Sequence, residues 1–308
     1  MLVTVLTLVY NSEYLYETID SLLLQDYSHI QYIISDDGSD NFVEEEVSEY
    51  VRARAGENIK DLVVRKNETT LGTVKNINQA LKFAKGEWII YLSADDVLAS
   101  KDVIRSWVNF FEQEDVQIAT AYRDVYDKEL KRFYRRFPNE KEVLWLQNKK
   151  PEQLFEKIAK NNIVYGCTTA IRLSLIKEYG YYPEKYHLIE DQPMNLRVLR
   201  DGKKIGWMDK VVIKYRDNGV SSALNYNPAY RKDMDAIYRN EIAPYTKKKI
   251  ARWFAYRTYH LRHLNSKWFW RQKKICERMP VLYPLLCLLH PIRICMKSRY
   301  IIEIIRRK

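Results

Sequence analysis

The chain has 308 residues, 46% of them apolar, with nine glycines and nine prolines; that supports a substantial core and excludes a fibrous or disordered composition. Its four cysteines, Cys167, Cys276, Cys287 and Cys295, form no CxxC pair and lack metal-ligand spacing, so they read as reduced thiols of a cytosolic protein. The net charge of +11 is unevenly placed: residues 228–308 hold 20 Lys and Arg against 5 Asp and Glu, a net +15, while the remainder carries −4.

The first hundred residues alternate between strand and helix patterns. "MLVTVLTLVYNSEY" lacks the basic region and cleavage site of a signal peptide and reads as a first strand. Asn11 or Ser12 is placed to cap a helix with Leu15, Ile19, Leu22 and Leu23 on one face. "IQYIIS" is a second strand, stopped by the turn "DDGSD". "VEEEVSEYVRAR" is helical and "DLVV" a short strand. "TVKNINQALKFAKG" is helical, with Val74, Ile77, Leu81 and Ala84 on one face and Gly86 at its C-terminal stop. "EWIIYL" is a further strand. Continuous apolar strands with helices between them predict βαβ units and a mostly parallel sheet covered on both faces.

Residues 100–227 mix helices with shorter strands such as "VQIATAYRDV" and "VVIKYR". From Pro228 the pattern turns helical, basic and aromatic, as in "KKKIARWFAYRTYHLRHLNSKWFWRQKK". Such interleaving suits an anionic membrane surface. The alternative is a helical appendage that packs on the body or mediates a homo-oligomer contact. No run reaches the ~18 apolar residues that would span a bilayer. A nucleic-acid role would explain the same charge but not the acidic clusters described next, and is set aside.

Ligands of open parallel sheets bind outside the carboxyl ends of the strands. Three polar clusters fall at such ends here: "VYNSEY", "SDDGSD" and "SADDV". There is no GxGxxG after the first strand and no GxxxxGK[ST], which excludes a dinucleotide Rossmann site and a P-loop. Adjacent carboxylates such as Asp95 and Asp96 repel by about 4 kcal/mol at roughly 4 Å and an effective dielectric of 20. A polar turn capping the next helix would account for them; so would Mg²⁺ or Mn²⁺ shared with a diphosphate.

Three segments in order, "VTVLTLVYNSEYLYETIDSLLLQDYSHIQYIISDDGSD", "TTLGTVKNINQALKFAKGEWIIYLSADD" and "LIEDQPMNLRVLRDG", resemble the family 2 glycosyltransferases with a GT-A fold. The likeness spans roughly residues 2–222. It implies an α/β GT-A fold: a mostly parallel open sheet flanked by helices in a transferase domain over residues 1–227, with a helical, basic C-terminal extension over 228–308. It further implies an inverting, metal-dependent enzyme that moves a sugar from a nucleotide sugar, a UDP-sugar in the first instance, to a hydroxyl of a cell-surface glycan or lipid-linked acceptor. Such an enzyme would be cytoplasmic and peripheral at the inner face of the membrane. The rival from another class is a catalytically silent nucleotide-sugar-binding scaffold.

The resemblance also implies roles. Tyr10 corresponds to the aromatic that stacks on the base, and Asp37, beside Asp36, to the carboxylate that hydrogen-bonds it. Thr7, Arg65, Lys75 and Asp95 complete the nucleotide-binding set, although Arg65 and Lys75 read more readily as solvated surface charges. Asp95 and Asp96 would hold Mn²⁺ or Mg²⁺; the family's usual preceding acid is Ser93 here, which leaves the ligand assignment open between them. Asp191, with Glu190, matches the pair that supplies the catalytic base, and a helix-capping role is compatible with that. Arg216 and Asn218 fall in a loop that closes over the diphosphate, Asn218 standing where the family carries His.

Overall fold

The computed structural model describes residues 1–217 and 227–246. Asn218 and the basic aromatic stretch from 247 onward lie outside the described residues.

β1 (Val3–Val9) is buried along almost its whole length, as a central strand covered on both faces must be. α1 (Leu15–Leu23) buries Leu15, Ile19 and Leu22. Neither Asn11 nor Ser12 caps it. Ser12 Oγ instead accepts the Tyr14 N–H (3.1 Å) and donates to the Ala94 carbonyl (2.6 Å), tying the first turn to a later one. β2 (Ile30–Asp36) is buried throughout, α2 (Glu44–Arg54) follows, and β3 (Ile59–Lys66) extends the expected "DLVV" at both ends.

α3 (Thr73–Leu81) ends before Ala84, so Gly86 is not its stop. Gly86 lies where the chain passes β1, and any Cβ there would overlap the Thr4 backbone. That close approach, rather than helix termination, requires the glycine. β4 (Trp88–Ser93) and the short β5 (Val97–Leu98) lead to α4 (Val103–Gln113). The residues after Asp96 therefore form a strand pair, not a helix start. α4 stacks Phe111 on Trp88, with ring centroids 3.5 Å apart.

The second half runs through β6 (Ile118–Tyr126), β7 (Phe133–Phe137), α5 (Glu140–Asn148) and α6 (Pro151–Lys160). A one-turn 3₁₀ helix at Gly166–Thr168 precedes β8 (Thr169–Arg172), α7 (Leu173–Glu178), α8 (Asp191–Arg200) and β9 (Gly206–Arg216). α9 (Pro228–Ile237) then continues into a π-helical turn at Tyr238–Ile242. Its first turn is capped by the Asn227 side chain, which accepts from Ala229 and Tyr230 N–H.

The strands form one sheet in the order β3-β2-β1-β4-β8-β6-β9-β5, with β7 paired to β6. β3, β2, β1 and β4 are mutually parallel, β6 and β9 are parallel, and β8 is antiparallel to both β4 and β6. This is the expected mixed α/β architecture. Because β1, β2 and β4 run the same way, their three polar C-terminal turns meet on one rim. Asp37 N–H reaches Val9 O (2.9 Å), Asn11 N–H reaches Ser39 Oγ (2.7 Å), and Ala94 N–H reaches Leu8 O (3.1 Å). Fully buried Val3, Val5, Ile19, Ile34, Trp88 and Trp107 hold this half together, each contributing roughly 1.5–3 kcal/mol by transfer from water.

Candidate functional site

The rim has a nucleotide side at β1–β3. Tyr10 stands just beyond β1 and is 56% exposed, so its ring face is free of packing. Thr7 is fully buried, its hydroxyl 3.1 Å from the Tyr32 hydroxyl. Asp36 accepts from Ser39 N–H (2.8 Å) and Ser39 Oγ (2.5 Å). Asp37 accepts from Asn67 Nδ2 (2.9 Å), Leu71 N–H (2.9 Å) and Gly72 N–H (2.8 Å), and so shapes the loop after β3. Arg65 donates to Ser35 Oγ and Asn67 Oδ1, each at 2.5 Å, and to Asn76 Oδ1 at 3.2 Å. The structure thus gathers Asp37 and Arg65 into one polar network. Lys75, in the first turn of α3, is exposed and takes no part in it.

At the end of β4, Asp95 is half-buried and Asp96 fully buried. Asp96 Oδ1 accepts the Arg216 N–H (3.1 Å), and its carbonyl accepts from Thr18 Oγ1 (2.7 Å). Asp96 Oδ2 is buried without any hydrogen-bond partner. Burial raises the Asp96 carboxyl well above the usual range and Asp95 raises it further, while Arg216 and Arg123 pull it back. Burial likewise raises Asp95. An orphaned carboxylate oxygen beside a second carboxylate is a donor set that fits a hard divalent cation. Among the described residues no group of three or more His, Cys, Asp or Glu surrounds that point. The remaining ligand positions would therefore fall to substrate phosphate and water, as Mg²⁺ and Mn²⁺ sites often have it.

The Arg216 guanidinium is spent within the protein. Nε donates to Lys128 O (2.8 Å), Nη1 to Asp95 O (2.5 Å), Nη2 pairs with Glu17, and the group lies over the Tyr14 ring. It fixes the backbone at Asp95 and Asp96.

Glu190 and Asp191 stand at the N-terminus of α8. Asp191 Oδ2 accepts the Gly166 N–H (2.8 Å), and Oδ1 accepts the Gln192 N–H (2.6 Å). The second bond is to the adjacent residue, and α8 has no side-chain N-cap bond, so Asp191 does not act as its cap. A Cβ on Gly166 would sit 2.6 Å from Glu190 Oε1, so the Glu190 carboxylate holds its place because residue 166 is glycine. The pair lines a small cavity with Tyr91, Tyr182 and Asn195. Burial, reinforced by Asp191, pushes Glu190 up to about 8. Burial raises Asp191 too, but the Gly166 and Gln192 N–H groups and Arg123 offset it. The Gly166 and Gln192 N–H groups and the Arg123 charge all favour the ionised form of Asp191, so of the two carboxyls it is the better placed to accept a proton.

Three residues that no motif singles out complete the site. Gly166 carries the N–H that holds Asp191. Asp233 of α9, 3% exposed, accepts N–H bonds from His187 (2.8 Å), Leu188 (2.5 Å) and Ile189 (3.1 Å), and so fixes the loop that delivers Glu190. His187 O in turn accepts the Val74 N–H (3.2 Å), which joins this loop to the turn shaped by Asp37. The third is Arg123 of β6, whose charge acts on both Asp96 and Asp191. One of the two aspartates within "YRKDMDAI" and an Arg within a mostly apolar strand carry no spacing that would reveal them.

These geometries can be set beside known proteins. The uncharacterised glycosyltransferase EpsJ of Bacillus subtilis is 26% identical over 255 residues, 81% of this chain and 71% of that protein. Over a shorter stretch of 116 residues, 37% of this chain and 43% of the other, it is 31% identical to WfaP of Escherichia coli, a UDP-Glc:alpha-D-GlcNAc-diphosphoundecaprenol beta-1,3-glucosyltransferase. Among solved structures, S. aureus TarS in complex with UDP-GlcNAc superposes with a TM-score of 0.61 at 22% identity, covering 81% of this chain and 68% of TarS, a likeness of fold. The model of glycosyl transferase family 2 matches residues 4–180, from the first strand to the end of α7, and with more than half its length so matched the chain belongs to that family: it is a family 2 glycosyltransferase.

Proposed function

We propose that this glycosyltransferase transfers a sugar with inversion from a nucleotide sugar, a UDP-sugar in the first instance, to a hydroxyl of a cell-surface glycan or lipid-linked oligosaccharide. The observation that carries the reading is the placement of two acid pairs: Asp191, held by the Gly166 and Gln192 N–H groups beside Glu190, on one side, and Asp95 with Asp96, whose Oδ2 has no partner, on the other. A single displacement needs a base on the acceptor side and charge stabilisation on the leaving-group side. Asp191 accepts the proton of the acceptor hydroxyl as that oxygen attacks the anomeric carbon. Gly166 N–H keeps the receiving carboxylate oriented, and Glu190, being neutral, adds no second negative charge near the nucleophile. Tyr10 offers a stacking face for the base, with Asp37, Arg65 and Thr7 completing the nucleotide side. Asp95 and Asp96 would hold Mn²⁺ or Mg²⁺, which when bound neutralises charge on the nucleoside diphosphate.

In this reading residues 1–227 carry the chemistry, and the basic region 228–308 directs the protein to the inner face of the membrane or to a second copy of itself. No helix of the described residues is long and apolar enough to cross a membrane. The WfaP likeness supports a lipid-linked acceptor, and the TarS likeness a UDP-sugar donor. The deciding experiment is a nucleotide-release assay over UDP- and GDP-sugars with a lipid-linked acceptor mixture. UDP release that disappears with EDTA and returns with Mn²⁺ or Mg²⁺ is expected. Binding of UDP with no release from any donor would establish the silent scaffold instead.

A further inference from the structure

Arg123 is a half-buried cation of the site that makes no ion pair among the described residues. Its guanidinium lies 4.0 Å from the Tyr165 ring centroid, 4.3 Å from Tyr215 and 5.7 Å from Phe137. Nη1 donates to Cys167 Sγ at 3.3 Å, and Nε is buried with no partner. Burial pushes the Cys167 thiol up to about 11, so that sulfur is neutral near pH 7 and supplies no counter-charge. Among the described residues no carboxylate lies within ion-pair distance of Arg123. Three aromatic faces and the more distant charges of Asp96 and Asp191 offset part of the cost of taking the guanidinium out of water. The chain supplies no hydrogen-bond acceptor for Nε, which an anionic oxygen of a ligand would provide.

The position says where that anion would lie. Asp96 ends at the leaving-group side and Asp191 at the acceptor side, and the charge of Arg123 reaches both. The other guanidinium nearby, Arg216, has its donors committed to Glu17, Lys128 O and Asp95 O. Arg123 alone of the two keeps N–H groups to give. The rings hold its planar fork in place, which suits phosphate better than a flexible ammonium would.

We propose that Arg123 is a substrate-binding residue whose guanidinium takes a phosphate oxygen of the ligand. The proposal rests on the glycosyltransferase reading and adds a residue to it. The phosphate has two sources of the same chemistry, the donor's diphosphate and the diphosphate that links an acceptor to its lipid.

The test compares wild type, Arg123→Gln and Arg123→Lys by calorimetry in the presence of Mn²⁺, with UDP, uridine and farnesyl diphosphate as probes. Uridine binding and a thermal melt report whether each variant is folded, and Arg123→Lys retains the charge if the glutamine variant does not fold. In Arg123→Gln, UDP affinity is expected to fall about tenfold to hundredfold, the loss of a charge-assisted hydrogen bond, with uridine affinity unchanged. Arg123→Lys falls between the two. Loss confined to farnesyl diphosphate assigns the phosphate to the acceptor and also supports the proposal. Unchanged affinity for both diphosphates in folded variants overturns it while leaving the donor reading intact. A wild-type protein that binds neither probe overturns both.

Discussion

The two sides of the rim treat their polar groups differently. On the nucleotide side, Asp36 and Asp37 are supplied by the chain itself, Asp37 with three donors that shape the turn after β3. On the reacting side, Asp96 keeps a bare oxygen, Glu190 is buried against a second acid, and Arg123 keeps unspent N–H groups. The first is a finished scaffold whose carboxylates contribute to folding. The second is unfinished in the absence of substrate, and its groups are held ready at some cost in stability.

Substitutions at matched positions can break that contrast. The largest effect is expected from Asp191→Asn: turnover falls about 10²–10⁴-fold, the usual contribution of a general base, while UDP affinity measured by calorimetry stays the same. Full activity in that variant would remove Asp191 from the base role. Next, Asp37→Asn is expected to cost about 2–3 kcal/mol in chemical denaturation by leaving buried donors unpaired. Asp96→Asn, by contrast, leaves stability unchanged or raised while abolishing the response to Mn²⁺. Equal destabilisation of the two would erase the distinction between the sides.

A smaller effect is expected at Gly166. In Gly166→Ala the flexible Glu190 carboxylate must move aside, so the fold survives. The displaced pair lowers turnover about tenfold, in keeping with the sensitivity of catalysis to misplacements near 1 Å. Glu190 imposes a pH effect on stability rather than on turnover. Its folded value of about 8 lies above the ordinary 4.5, so the unfolded chain holds fewer protons between those limits. Stability of the wild type then declines as pH rises from 4.5 through 8. Glu190→Gln should flatten that decline, and denaturation midpoints across that range that run parallel for the two proteins would contradict the assignment.

Much of the rim could be read from the chain alone because it is built from strand ends. An apolar run followed by "SDDGSD" or "SADD" states both the strand and the polar turn that ends it, and parallel pairing then brings the turns together. The GT-A resemblance added Asp191, which no periodicity reveals. What stayed hidden depends on contacts between distant segments. Gly86 matched a helix stop by spacing, yet its neighbour in space is Thr4, a crossing set by the sheet. Ser12 matched a helix cap, yet its hydroxyl is claimed by Ala94 O. Arg123 and Asp233 act through groups far away along the chain, and local pattern is silent at that range.

The Asp233 clamp bears on how the protein can be cut. Charge counting invites a truncation at residue 227, just where the basic region starts. Such a fragment would retain every motif residue and lose the acceptor for three amides of the 187–189 loop, along with Glu241, which binds Tyr186, Arg197 and Arg200. A soluble catalytic fragment for crystallisation or screening should therefore extend beyond Ile242. The stretch 227–246, which resembles the start of a tail, serves as the footing of the catalytic loop.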